Sequence, residues 1–193
     1  MKGYYKNDNA TDETIINDWL HTGDVGVIDS DGYLSITGRK KEIYVNSAGK
    51  NIAPLIIEET MKSIPIVSQC FLVGDARKFC SALFTLDVGA ILRDKLGMDS
   101  NDIPKDPIQQ ISMLQDKGHT LADYTDSEEI RLQIQNDVDS LNKQFSNPEQ
   151  VKKFTILPRD LTIDNGELTP TLKIRRKQIN ENWGDVINAM YAE

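Results

Sequence analysis

With 193 residues, 39% of them apolar and 27% charged, the chain holds enough apolar material for one good core or two small ones, which excludes wholesale disorder. A formal net charge of −8 works against a general nucleic-acid or anionic-membrane surface, since both need a positive field. No apolar run approaches a bilayer span, and the polar opening MKGYYKNDNATDET does not read as a signal peptide.

In chain order, Thr11 is expected to cap a helix over TDETIINDWL, with Ile15, Ile16 and Trp19 on one side. DVGVID and YLSITG alternate apolar and polar residues around SDG and predict a hairpin. KEIYVN and a Gly-Lys-Asn loop lead into PLIIEETMKSI, where Pro54 suits the first turn of a helix. IVSQCFLVGD and SALFTLDV are short, nearly continuous apolar runs, read as strands covered on one face by helices. Cys70 and Cys80 lie in these runs, where buried thiols suit a reducing cytosol. Residues 97–126 hold Gly97, Pro104, Pro107 and Gly118, and are expected to be short helical pieces in a surface insertion. Thr125 and Glu128 fit a capping box for a helix with Ile130, Ile134, Val138, Leu141 and Phe145 on one stripe. VKKFTILP then gives a strand, and Ile179, Trp183, Ile187 and Met190 line a last helix, the two tryptophans being read as core.

Three polar constellations remain: His21-Thr22-Gly23-Asp24; Arg39, Lys40, Lys41 and Lys50 within TGRKKEIYVNSAGKN; and Asp164-Asn165-Gly166 with Lys173 beyond. No GxxxxGK[ST], GxGxxG or paired-histidine pattern supports a nucleotide loop or zinc. Taken singly, Asp24 could cap a turn, Arg39 to Lys41 could end a strand in solvent, KIRRK could be an exposed cluster, and His21 could make a structural hydrogen bond.

Taken in order, MKGYYKN, WLHTGD, DGYLSITGRKKEI, SAGKNIAP and GELTPTLKIRR resemble the adenylate-forming acyl-CoA synthetases, specifically the long-chain fatty-acid ligases. The likeness covers nearly the whole chain and is most specific at TGD and TPTLK. It implies an α+β fold: a small domain with a short β-sheet flanked by helices, preceded by a β-hairpin remnant of a large N-terminal domain. Residues 1–39 would end the large adenylating domain, 40–41 would be the hinge, and 42–193 the C-terminal lid. The implied activity is ATP-dependent formation of an acyl-adenylate and then an acyl-CoA, with rotation of the lid between the steps. By this resemblance Lys173 bridges the fatty carboxylate and the α-phosphate, Asp24 and Arg39 hold the ribose, Lys41 is the hinge, and Ala48, Gly49 and Lys50 meet coenzyme A.

Implied substrates and cofactors are a fatty acid, ATP and coenzyme A, with Mg2+ held mainly by an upstream domain. The phosphate loop, adenine strand and acyl tunnel of the family precede the GYY motif, so this portion is expected to be inactive alone. The expected location is the cytoplasm, with peripheral membrane association left open. The family usually has two glycines where this chain has Ala48-Gly49. Two alternatives stand beside this reading: a non-catalytic interaction module, or a ligase that loads a carrier protein instead of coenzyme A.

Overall fold

The computed structural model describes residues 1–192. The fold is α+β, and its centre is a three-stranded sheet. Strands β7 (Val67–Val73) and β8 (Cys80–Leu86) are antiparallel, and β9 (Val151–Ile156) runs parallel to β8. A parallel neighbour requires a long crossover, and the chain between β8 and β9 provides it.

Both faces of the sheet are covered, not one. Period-two alternation sends Cys70, Leu72, Ala82 and Phe84 into one core with Ile57 and Met61 of helix α2 (Pro54–Met61) and Ile130, Ile134 and Val138 of α6 (Glu128–Leu141). Phe71, Val73 and Leu83 face a second core built with Ile179, Ile187 and Met190. That arrangement explains why the two runs read as continuous apolar stretches. Cys70 and Cys80 are free, buried thiols, and burial pushes Cys80 up to about 11.

Several expectations are corrected. The first helix, α1, covers only Asp8–Thr14 and is capped by Asn7, whose side chain accepts the Ala10 amide. Ile15-Ile16 (β1) instead pairs with Trp19-Leu20 (β2) across Asn17 and Asp18, both at positive φ. Two β-branched residues followed by such a pair favour a tight hairpin over a continued helix. Trp19 is consequently 76% exposed and not core.

The second hairpin forms as read, β3 (Asp24–Ile28) against β4 (Leu34–Arg39), with the Asp29 carboxylate accepting the Asp31 and Tyr33 amides in its turn. The short pair β5 (Tyr44–Val45) and β6 (Asn51–Ile52) then closes the loop 46–50.

Residues 97–126 are more than a surface insertion. Helix α4 (Pro107–Asp116), capped by Asp106, and the short α5 (Ala122–Thr125) deliver buried Leu114 and Tyr124 to the first core. Helix α6 is capped by Ser127, which accepts the Ile130 amide, and not by Thr125, which belongs to α5. The last helix is two, α7 (Arg176–Asn182) and α8 (Gly184–Tyr191), broken where Trp183 leaves helical geometry. The apolar stripe survives the break because both pieces pack on the same face of the sheet. Among the described residues no helix is long and apolar enough to cross a membrane.

Candidate functional site

The stretch Thr169–Lys173 is a tight reversal. Leu168 bridges antiparallel to Ile174, the Thr169 amide donates to the Lys173 carbonyl at 2.8 Å, and the Leu172 amide donates to the Thr169 carbonyl at 2.8 Å. The Lys173 amide donates to Thr169 Oγ1 at 3.0 Å. Leu172 sits at φ 59°, a conformation a leucine adopts only when its surroundings dictate it. Lys173 is thus exposed on a well-determined backbone, at the wall of a cavity of about 520 Å³ that Arg39, Leu55, Glu58, Lys62 and Gln69 also line.

Ion pairs with a buried carboxylate hold the chain on either side of this loop. After it, Arg176 forks onto Glu58, with Nη1 to Oε1 at 2.8 Å and Nη2 to Oε2 at 2.7 Å; the two side chains are 19% and 3% exposed. Burial raises the Glu58 carboxyl against the pull of Arg176. For the guanidinium, burial opposes the charge, but the Glu58 hydrogen bonds overcome it and hold Arg176 above its ordinary value.

Before the loop, Glu167 accepts from both terminal nitrogens of Arg159 (2.7 and 2.8 Å), from Asn182 Nδ2, from Trp183 Nε1 and from the Thr162 amide. Burial would raise its carboxyl, yet the hydrogen bonds from Arg159 and Asn182 win and lower it to about 2. The exposed cluster expected from KIRRK therefore hides one half-buried member, Arg176, paired through both terminal nitrogens.

None of Glu58, Arg176, Arg159 and Glu167 stands out as a site residue when the sequence is read for motifs. A signal did exist for Glu58: α2 buries Pro54, Ile57, Glu58 and Met61, so the carboxylate lies on the apolar stripe of its helix. Such a charge needs a buried partner.

Asp24 and Arg39, register partners at the open end of the β3–β4 pairing, meet through Arg39 Nε and Asp24 Oδ1 at 3.2 Å. Arg39 joins this pair to the Lys173 cavity. Lys40, Lys41 and Glu42 form a single exposed 3₁₀ turn between the hairpin and β5. The 46–50 loop is organised by buried Asn46, whose Oδ1 accepts the Ala48 and Lys50 amides, and Gly49 takes a φ of 72°. Ala48, Gly49 and Lys50 are all exposed.

This loop does not reach the Lys173 cavity. The Ser47 amide bonds the Arg77 carbonyl at 3.0 Å, beyond the C-terminal end of β7, whereas Lys173 shares its cavity with Ser68 and Gln69 at the other end. Seven residues of strand at about 3.3 Å each separate those ends by about 20 Å.

His21 is exposed, and its ring makes no hydrogen bond among the described residues; only its backbone amide is engaged, by the Thr14 carbonyl. Asp164 and Asn165 lie in an exposed turn stabilised by Thr162. Among the described residues no group of three His, Cys, Asp or Glu side chains could hold a metal ion.

Residues 108–193 match the family described as the AMP-binding enzyme C-terminal domain. The chain is 39% identical over 191 residues to the long-chain-fatty-acid–CoA ligase FadD15 of Mycobacterium tuberculosis, covering 99% of this chain and 29% of that protein. It is 34% identical over 196 residues to the long-chain-fatty-acid–CoA ligase ACSBG2 of Gallus gallus, covering 99% of this chain and 25% of that protein. The chain therefore spans less than a third of the length of these relatives.

Among solved structures, the A domain of a carboxylic acid reductase from Segniliparus rugosus, in complex with AMP and a co-purified carboxylic acid, superposes with a TM-score of 0.69 at 22% identity. That match covers 98% of this chain and 26% of that one. The adenylation domain of the carboxylate reductase from Mycobacterium chelonae gives 0.68 at 21% identity, covering 99% and 26%. At such identities these structures show a shared fold. Residues 108–193 thus carry the AMP-binding enzyme C-terminal domain, and the chain as a whole is homologous to part of the long-chain-fatty-acid–CoA ligases.

Proposed function

We propose that the chain is the hinge and lid of an ATP-dependent long-chain fatty acid–CoA ligase, with residues 1–39 closing the large adenylating domain, 40–41 as the hinge and 42–193 as the lid. The observation that carries this reading is the placement of two candidate loops, Lys173 and 46–50, at opposite ends of one strand in a single packed body. A body with two such ends can serve one reaction centre only by turning. The turn Lys40–Glu42 is suited to that motion, since its side chains are exposed and a change in its dihedrals disturbs no packed core.

In the first step a fatty carboxylate oxygen attacks the α-phosphorus of ATP, and pyrophosphate leaves. The Lys173 ammonium offsets the negative charge that gathers there, more in the transition state than before it. Asp24 accepts hydrogen bonds from the ribose hydroxyls and Arg39 donates to them, tasks suited to an acceptor-only carboxylate and a donor-only guanidinium already 3.2 Å apart. After rotation the thiol of coenzyme A attacks the acyl carbonyl and AMP leaves. Ala48 and Gly49 leave room beside the pantetheine arm, and Lys50 meets phosphate.

The test is product analysis with the full-length protein that contains this chain, supplied with ATP, palmitate and coenzyme A. The expected products are AMP, pyrophosphate and palmitoyl-CoA. Pyrophosphate release with thioester formed only on a phosphopantetheinylated carrier protein would change the acceptor. No pyrophosphate release from any fatty acid would leave a non-catalytic module instead.

A further inference from the structure

The best-enclosed cation of the lid, Arg176, is not one of the residues assigned to substrate. We infer that Arg176, seated on Glu58 and Tyr44, is a positioning residue that fixes where Lys173 stands; the inference rests on the role proposed for Lys173.

Three elements converge on this guanidinium. Besides its fork onto Glu58 of α2, Nη1 donates to the Tyr44 hydroxyl at 2.8 Å. The Tyr44 hydroxyl donates in turn to the Leu72 carbonyl (2.8 Å), and Glu58 Oε1 accepts the Leu72 amide (2.8 Å), so β7 closes the network. The guanidinium also lies 5.3 Å over the Tyr44 ring and 5.5 Å over the Phe71 ring. Stability alone is a weak reason to keep such a group, because a buried ion pair is often replaceable by apolar side chains without loss.

Its place in the chain supplies a better reason. Arg176 begins α7, and Arg175 just before it donates its amide to the Glu167 carbonyl at 2.8 Å. The Lys173 loop is therefore anchored on a short leash at each end, by Glu58 below Arg176 and by Arg159 below Glu167. Tyr44 belongs to β5, just past the Lys40–Glu42 turn, so the same guanidinium ties the Lys173 loop to the strand that leaves the hinge. Rotation at that turn is then transmitted to Lys173 without slack. Such rigidity matters because a displacement of about 1 Å at a reacting group costs on the order of a hundredfold in rate.

The experiment uses the full-length protein and compares Arg176→Lys, Lys173→Ala and the double variant in two half-reactions: pyrophosphate release, and transfer from supplied acyl-adenylate to coenzyme A. Lysine keeps the charge opposite Glu58 but cannot fork onto both oxygens and reach Tyr44 as well. Arg176→Lys is expected to slow adenylation by about ten- to a hundredfold while transfer is little changed. On the Lys173→Ala background it should add nothing, since the two changes act through one ammonium.

Equal losses in both half-reactions, or losses that multiply with those of Lys173→Ala, would overturn the inference in favour of a merely structural ion pair. If Lys173→Ala by itself keeps adenylation, the role proposed for Lys173 has failed, and this inference with it. Should Arg176→Lys not fold, Tyr44→Phe leaves the Glu58 pair intact. It is then expected to give the same selective but smaller loss, whereas an equal effect on both steps, or none on adenylation, counts against the inference.

Discussion

Residues 1–39 and residues 40–192 are held together in different ways. In the first, only Gly38 is buried, and Val27, Ile28 and Leu34 are 59%, 69% and 64% exposed although all three are paired strand residues of the second hairpin. In the second, every residue of β8 is buried between two cores. Secondary structure in the hairpin rests on backbone pairing and turn chemistry, while in residues 40–192 it rests on apolar burial, and an isolated two-stranded hairpin is marginal in water. On the proposed reading, the hairpin's apolar side chains are covered by the large domain that it closes.

The largest expected contrast lies in amide hydrogen exchange. Leu83 and Phe84 should exchange only through global unfolding, whereas Val27 and Ile36 open locally, a gap of about 5 kcal/mol or more. Equal protection in the two regions would break the comparison.

Truncation comes next. Phe84→Ala removes a fully buried ring packed 5.4 Å from that of Phe154 and should cost about 3–5 kcal/mol in urea unfolding. Val27→Ala should stay within about 0.5 kcal/mol.

Acid sharpens the picture within residues 40–192. Because the folded-state value of Glu167, about 2, lies below the ordinary 4.5, its stabilisation is complete above pH 4.5 and is lost as the pH falls toward 2. That loss amounts to roughly 3 kcal/mol. In Glu167→Gln, stability at neutral pH should be lower, and its decline between pH 4.5 and 2 shallower by that amount.

The smallest effect belongs to the hairpin's own ion pair. With side chains 28% and 60% exposed, Asp24 and Arg39 gain little from each other, so Asp24→Asn should change stability by less than about 1 kcal/mol. The same substitution should raise the KM for ATP.

Much of this division was legible in the sequence. The β-runs, the Pro54 helix and the stripe from Ile130 to Val138 are read correctly because burial and periodicity agree there. The first hairpin is hidden in the sequence because Ile15, Ile16 and Trp19 fit a helical spacing as well, and only the backbone preference of Asn17-Asp18 decides between the two. The break at Trp183-Gly184 escaped for a related reason: two helices on one face leave the same apolar stripe as one.

At the candidate site, the exposed residues could be read from motifs, but the side chains that hold them could not. Arg176 looks like any member of KIRRK until Glu58 and Tyr44, more than a hundred residues earlier in the chain, are placed beside it. Glu58 alone betrayed itself, by lying on the wrong side of its helix for a charge.

The central claim is that one rigid lid offers two ends to the same reaction. It is tested most directly by Lys173→Ala and Lys50→Ala in the full-length protein, each assayed for pyrophosphate release and for transfer from supplied acyl-adenylate to coenzyme A. Lys173→Ala should fail in the first and retain the second, and Lys50→Ala should do the reverse. Matching losses in both steps for either variant would contradict the claim.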